Sequence, residues 1–415
     1  MIQRRRFLLG LGALGSGAAL LSLTGCSSGD DDGAISVYSW RQEDSEGYKK
    51  IFSTFTEKNE GIAVKFEPYN STDYDQILQT AIKSGEDLDV IQLRPYASGR
   101  DVEDAGILEP LDDLEGMDVF DDTYLDAVKG SDGKVYGVPL ALNALISLYN
   151  VDLLKKHDIA PPKTWPEFLK ACKKLQSAGL TPIAQSGKDA YLLTILFEAV
   201  SCAALSDEFT EAALDGSADF TGEEFRGAVQ RVLDLQEFMP KDFVGMADDE
   251  ARAMFAQGEA AFYINGDYRV KPLQDLAPDL NMGYIPSLPD SGDEYRICTA
   301  VDGAYAVATD SPHLEDAKTL LTYMTTKEFG NAFAQEFARL GAVPGTASDD
   351  AVHKQLSKDI EKHSVVNVMQ LIAGGQPDVK AEFENALQGV FSGQIDKDEL
   401  FATTQKAYKN AQENA

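Results

Sequence analysis

Three short clusters in this chain join an aromatic ring to hydrogen-bonding side chains: Trp40-Arg41-Gln42-Glu43-Asp44, Tyr69-Asn70 and Arg94-Pro95-Tyr96. Such groups suit the recognition of a pyranose. Its apolar C–H faces stack on rings, and its hydroxyls exchange paired hydrogen bonds with Asn, Asp, Glu and Arg. A fourth candidate, Asn143, interrupts the apolar run Val135–Tyr149. A buried amide without a partner costs ~1–3 kcal/mol, so Asn143 must meet either backbone or a bound molecule.

Patterns that would point to other chemistry are missing or misplaced. The chain has four His and no HExxH or CxxC, which leaves a catalytic zinc site without support. It has no GxSxG, and its SxxK, Ser131 to Lys134, falls in a turn. Gly10 to Gly15 spells GxGxxG but follows no strand and lies in a leader. Asp30, Asp31 and Asp32 are consecutive, unlike the alternating ligands of a Ca²⁺ loop. No cofactor or metal is expected.

The elements that must position these residues read as alternating strands and helices. Ile35–Trp40, Val64–Phe66 and Asp89–Leu93 are strand-like; Tyr48, Ile51, Phe52 and Phe55, then Tyr74, Ile77, Leu78, Ala81 and Ile82, recur at helical spacing. This alternation predicts a parallel or mixed α/β sheet. Ligands of such sheets bind beyond the carboxyl ends of the strands, where the three clusters fall. Asp132-Gly133 marks a turn before the buried run that carries Asn143. Thr164-Trp165-Pro166-Glu167 reads as a capping box opening a helix whose buried face holds Trp165, Phe168, Leu169, Cys172 and Leu175. Trp165 is therefore expected in the core.

Residues 1–25 read as a signal peptide. Arg4-Arg5-Arg6 precedes an uncharged stretch from Phe7 to Leu23, and Leu23-Thr24-Gly25-Cys26 has the form of a lipobox, cleaved before an acylated Cys. The arginines also fit a twin-arginine export signal. Residues 26–33 then form an acidic tether. Removing 25 of 415 residues leaves 390, too many for one core. The same cut takes three Arg and no acid from a net charge of −31, leaving −34. So acidic a body argues against nucleic acid and polyanionic ligands. The remaining Cys172, Cys202 and Cys298 are not a disulfide framework, although one pair could bond.

Several stretches resemble one family, in order along the chain. DGKVYGVP followed by Tyr149-Asn150, TWPEFLKACKKLQSAGLTPIA, MFAQGEAAFYINGDY, MGYIPSL and Gly341-Ala342-Val343-Pro344-Gly345 resemble family-1 extracellular solute-binding proteins, the carbohydrate receptors of ABC importers. The resemblance implies a two-lobed, type II periplasmic-binding-protein-like α/β fold with three crossover segments and a ligand cleft between lobes. The N-terminal lobe would comprise 34–143 plus 299–342, and the C-terminal lobe 144–298 plus 343–415. It implies that Asn143 faces the sugar at the first crossing, and that the loop holding Asp189 and Tyr191 contacts ligand. Tyr268, where the family commonly has Trp, would stack on the ligand after an Asn-Gly turn, with Asp267 beside it. Asp302 stands at the second crossing, where small residues are usual; it either meets a hydroxyl or caps backbone.

The implied protein is a lipid-anchored, extracytoplasmic, monomeric receptor. It would be no enzyme, capture a mono- or oligosaccharide by hinge closure and deliver it to membrane permease subunits. Binding of a polyol, peptide or phosphorylated compound, or an exported glycoside hydrolase, are the alternatives. Cys26→Ser should release the protein from the membrane fraction; retention of uncleaved protein there would instead identify a membrane span.

Overall fold

Strand β1 (Ala34–Ser39) buries Ile35 and Val37 and lies between two parallel neighbours, β2 (Ala63–Pro68) and β3 (Val90–Leu93). The computed structural model describes residues 33–414 except 72, 347, 367 and 374–377. The leader 1–25, Cys26 and the tether up to residue 32 lie outside the described residues. The helix Ser45–Lys58 turns Tyr48, Ile51, Phe52 and Phe55 inward, and Tyr48 stacks on Phe66 at 4.6 Å between centroids. Short β4 (Val138–Pro139) closes this first sheet by pairing with β10 (Ala304–Val307), which runs antiparallel to β3.

The second sheet is built around β5 (Ala141–Asn150), whose burial on both faces matches its apolar sequence. Its neighbours are β7 (Ala260–Gly266), β8 (Met282–Ile285), β9 (Ile297–Val301) and β11 (Leu340–Gly341), all antiparallel to it. Strands β6 (Thr181–Ala184) and β12 (Ser364–Val366) extend the sheet by parallel pairing with β7 and β9. Each sheet has its own core, one centred on Tyr48, Phe52 and Phe55, the other on Phe168, Phe197, Phe225 and Phe262. This is the two-lobed fold with three crossings.

The chain changes sheets between Pro139 and Ala141, between Val301 and Ala304, and next to Gly341. At these points β5 and β9 enter the second sheet together, with Leu142 opposite Val301. The expected Asn-Gly turn is also displaced. Asn265 and Gly266 are the last residues of β7, paired with Ile146 and Leu145, and the chain bends only at Asp267.

Trp165 is buried and stacked on Phe168 at 5.6 Å, and the Thr164 hydroxyl caps its helix by accepting from the Glu167 amide at 3.4 Å. Glu167 reaches back to the amide of Lys163, not Thr164. Trp165→Ala is expected to lower unfolding free energy by ~3–5 kcal/mol in denaturant titration.

Candidate functional site

The three crossings are bonded to one another at Leu140. Its amide donates to the Gly303 carbonyl at 3.0 Å, and its carbonyl accepts from the Ala342 amide at 3.1 Å. Beside it, the Asp302 amide donates to Ala141 at 2.8 Å. Gly303 has φ +83°, and a Cβ there would lie 2.8 Å from Gln92 Nε2 and 3.1 Å from the Trp40 ring. The first lobe therefore packs directly onto the second crossing, and only glycine fits.

The Asp302 carboxylate is shared by two buried guanidiniums. Arg41 Nη2 donates to its Oδ2 at 2.5 Å and to its carbonyl at 3.3 Å, and Arg339 Nη2 donates to the same Oδ2. Arg339 also donates to Asn143 Oδ1 at 2.9 Å, and Arg41 Nη1 lies 3.7 Å from Asp44. Burial alone would raise the Asp302 carboxyl, but the two guanidiniums win and hold it at about 2. Burial raises Asp44, with Arg41 only partly offsetting it. Asp302 thus does not cap backbone with its side chain: its Oδ2 is the acceptor of a shared ion pair, while the carboxylate keeps 19 % exposure. Arg339 escaped sequence reading; the one clue was a cation directly before the third crossing.

On the first lobe, Trp40 is buried edge-on to Tyr74 at 5.4 Å, with the Arg94 guanidinium 4.6 Å and that of Arg41 5.9 Å from its ring centre. Arg94 is held inside the lobe by Asp75, at 3.0 and 3.1 Å, and by the Ser71 carbonyl. Gln92 accepts from the Ser39 hydroxyl at 2.6 Å, and its Nε2 has no hydrogen-bond partner among the described residues. Tyr96 has φ +60°, and its hydroxyl accepts from the Val301 amide at 3.1 Å. It pins the first lobe to β9 and offers no free ring face. Asn70 is exposed and uses its carbonyl to start the helix Tyr74–Ser84, accepting from Asp73 and Tyr74. Glu43 is exposed on the 3₁₀ turn Gln42–Asp44.

On the second lobe, half-buried Tyr268 donates to Asn265 Oδ1 at 2.8 Å. The guanidiniums of Arg269 and Arg339 lie 5.1 and 5.7 Å from its ring centre. A polar network supports it: Asp248 accepts from Tyr263 at 2.6 Å and Asn265 at 3.1 Å, and pairs with Arg269 at 2.7 Å. Tyr191 is 45 % exposed at the start of the helix Tyr191–Ser201, within the electrostatic reach of Arg269 and Asp248. Asp189 is exposed, with its carbonyl accepting from Leu192.

Asp267 points away from this surface. It is fully buried, with Oδ1 accepting from the Ala144 amide at 2.8 Å and Oδ2 3.3 Å from His353 Nε2. His353 also meets Asp350 at 3.1 Å. Burial works against its charge, but the two carboxylates raise its pKa to about 9. Asp267 therefore ties β5, one residue past Asn143, to the helix Ala351–His363. It is not a hydroxyl acceptor.

The structure therefore gathers Trp40, Asp44, Asn143, Tyr268 and Asp302 around Arg41 and Arg339, with Tyr191 on the flank through Arg269. Tyr96 and Asp267 serve the framework, Arg94 is paired within its lobe, and Glu43, Asn70 and Asp189 sit at the surface. Among the described residues, no group of His, Cys, Asp and Glu is arranged to hold a metal ion.

Two lobes joined by three bonded crossings, with aromatic and polar side chains converging at the junction, define a hinge-type solute receptor. The sequence profile of bacterial extracellular solute-binding proteins matches residues 50–361, and the chain belongs to that family. The multiple sugar-binding protein of Streptococcus mutans is 24 % identical over 330 residues, covering 76 % of this chain and 77 % of its own. The melibiose/raffinose/stachyose-binding protein MelE of Bacillus subtilis is 20 % identical over 364 residues, 84 % of each chain. The apo form of RafE from Streptococcus pneumoniae superposes with a TM-score of 0.74 at 19 % identity, covering 91 % of this chain and 97 % of its own. Members of this family are binding proteins, and they work outside the cytoplasm.

Two outcomes follow. Asp302→Ala would leave two buried guanidiniums sharing no carboxylate. It should destabilise the unliganded protein by roughly 3 kcal/mol, the low end for a broken buried pair because Asp302 is 19 % exposed. Denaturant titration checks this. His353 has a folded pKa of about 9 against an ordinary 6.5, so its contribution is complete below pH 6.5 and is lost as pH rises through 9. The melting temperature should fall across that window, and His353→Gln should flatten the fall.

Proposed function

We propose that this protein is the substrate-binding component of an ABC sugar importer. In this reading it captures a mono- or oligosaccharide between its lobes and delivers it to separate permease subunits. The observation that carries the reading is the junction itself, where tyrosine rings stand beside hydrogen-bonding groups whose charges cancel locally. Arg41 and Arg339 share Asp302, with Asp44 beside Arg41; Arg269 faces Asp248, and Arg94 faces Asp75. Four guanidiniums meet four carboxylates. A neutral polyhydroxylated ligand enters such a surface at lower electrostatic cost than an anion, which would have to displace a paired carboxylate. This balance weighs against the phosphorylated solute.

In this reading Tyr268 and Tyr191 supply the stacking faces from the second lobe, and Trp40 with Gln92 lines the first. Asn143 and Asp44 take part in the hydroxyl network. The relatives named above bind sugars of several lengths, which supports the class. Closure follows from bending at the crossings. Anchoring through an acylated Cys26 and a monomeric state complete the proposal, with no turnover of the bound sugar.

The test is calorimetry against mono- and oligosaccharides, with chromatography of the recovered sugar. One or more neutral sugars should bind and be recovered intact. Tyr268→Ala and Asn143→Ala should each weaken binding roughly 5- to 150-fold, equivalent to ~1–3 kcal/mol. Unchanged affinity in both variants would place the ligand elsewhere, and steady release of shorter products would identify a hydrolase.

A further inference from the structure

A cluster of reactive side chains lies in the second lobe, away from the junction and unused by sugar capture. Cys298 is fully buried on β9, paired in register with Leu145 of β5 and Val365 of β12. Its thiol donates to Glu198 Oε2 at 3.5 Å. Glu198 is itself buried on the helix Tyr191–Ser201, and its Oε1 accepts from the Met369 amide at 2.9 Å. Cys202 follows four residues after Glu198, where the 3₁₀ turn Cys202–Ala204 continues the helix. Residues four apart share one helical face, so the Cys202 thiol is directed toward the spot that Cys298 occupies. Burial, and then the adjoining Cys202 thiol, push the Cys298 thiol upward, while burial brings the Glu198 carboxyl up to about 7. Cys172 is also buried, but on the separate helix Trp165–Ser177.

We propose that Cys202 and Cys298 are a disulfide-forming pair, joined as the chain folds outside the cytoplasm. The step rests on the extracytoplasmic location of the family, where oxidising disulfides are at hand. The oxidant is a disulfide, protein-borne or small. The Cys298 thiol gives its proton to water, and the thiolate attacks the oxidant to form a mixed disulfide, releasing one oxidant thiolate, which takes up a proton. Cys202 loses its proton and displaces the second oxidant sulfur, which leaves as a thiol. Two S–H bonds and one S–S bond are consumed; one S–S bond and two S–H bonds form. Both sulfurs are sealed in the finished fold, so the exchange belongs to the stage at which the second lobe is still closing.

The bond would tie the end of the helix Tyr191–Ser201 to the strand that leads into Asp302. It would enclose a loop between positions 202 and 298, and long loops gain most from closure.

The protein is unfolded with its thiols reduced, then refolded with a mixture of oxidised and reduced glutathione. Intact mass should fall by two hydrogens, proteolysis should give a peptide linking Cys202 to Cys298, and after denaturation only Cys172 should titrate among the three. Cys202→Ser and Cys298→Ser should each abolish the mass loss, and Cys172→Ser should keep it. The oxidised protein should melt higher than the reduced one and bind sugar equally well. Three titrating thiols in the refolded, correctly folded protein, or a link through Cys172, would overturn the proposal. Neither result depends on which solute the junction binds.

Discussion

Two buried guanidiniums sharing one carboxylate hold the centre of this molecule. Arg41 follows the first strand of one lobe, Arg339 precedes the third crossing, and Asp302 sits on the second. Without the carboxylate, neither cation has enough partners to stay out of water, because an unpaired buried charge costs several kcal/mol. The pairing can form only when all three segments meet. The hydrogen bonds of Leu140 impose the same condition on the backbone, since its amide and carbonyl are satisfied by the second and third crossings. The junction is thus a place where chain geometry and charge neutrality have one joint solution.

That solution shapes what the surface above it does. With Asp302 Oδ2 taken by two guanidiniums and the neighbouring charges balanced, the proposed site would recognise by shape, ring faces and hydrogen bonds, not by net field. The protein as a whole carries −31, yet Arg41 and Arg339 share Asp302 at this junction and Arg269 pairs with Asp248 on its flank. The acidity of the body and the chemistry of the site are therefore separate properties. The network of Asp248, Tyr263 and Asn265 orients Tyr268 from behind, so the ring is presented at a fixed angle. On the opposite side of β5, Asp267 and His353 lock the residue next to Asn143 to a helix of the second lobe.

Sequence reading recovered the architecture because its signals are local. Strand-like runs placed β1 to β3 to within two residues, helical spacing marked the inward faces of the two helices between them, and the apolar run with a flanking Asp132-Gly133 turn marked β5. Gly133 does take φ +79° there. Burial of Trp165 followed from its position on a capped, one-sided helix. Of the strand-end clusters, Trp40 and Asp44 reach the junction between the lobes.

Which candidate does what was decided by tertiary structure. Asp267, Tyr268 and Asp302 look alike in sequence, each polar and beside a turn. Asp267 turns inward because the Ala144 amide and His353 wait for it, and one oxygen of Asp302 is shared by two arginines distant from each other in sequence. Arg339 lies 196 positions from Asn143, a separation that no local pattern reports. Tyr96 looked like a stacking ring, but a positive φ turns its hydroxyl onto the Val301 amide. Local spacing determines which face of an element is buried, whereas the partner of a buried polar group depends on long-range packing. The sequence alone therefore determined a two-lobed α/β receptor and the strand ends that carry its candidate site residues. Only the folded chain decided which polar groups stay open, because that depends on which charges burial forces together.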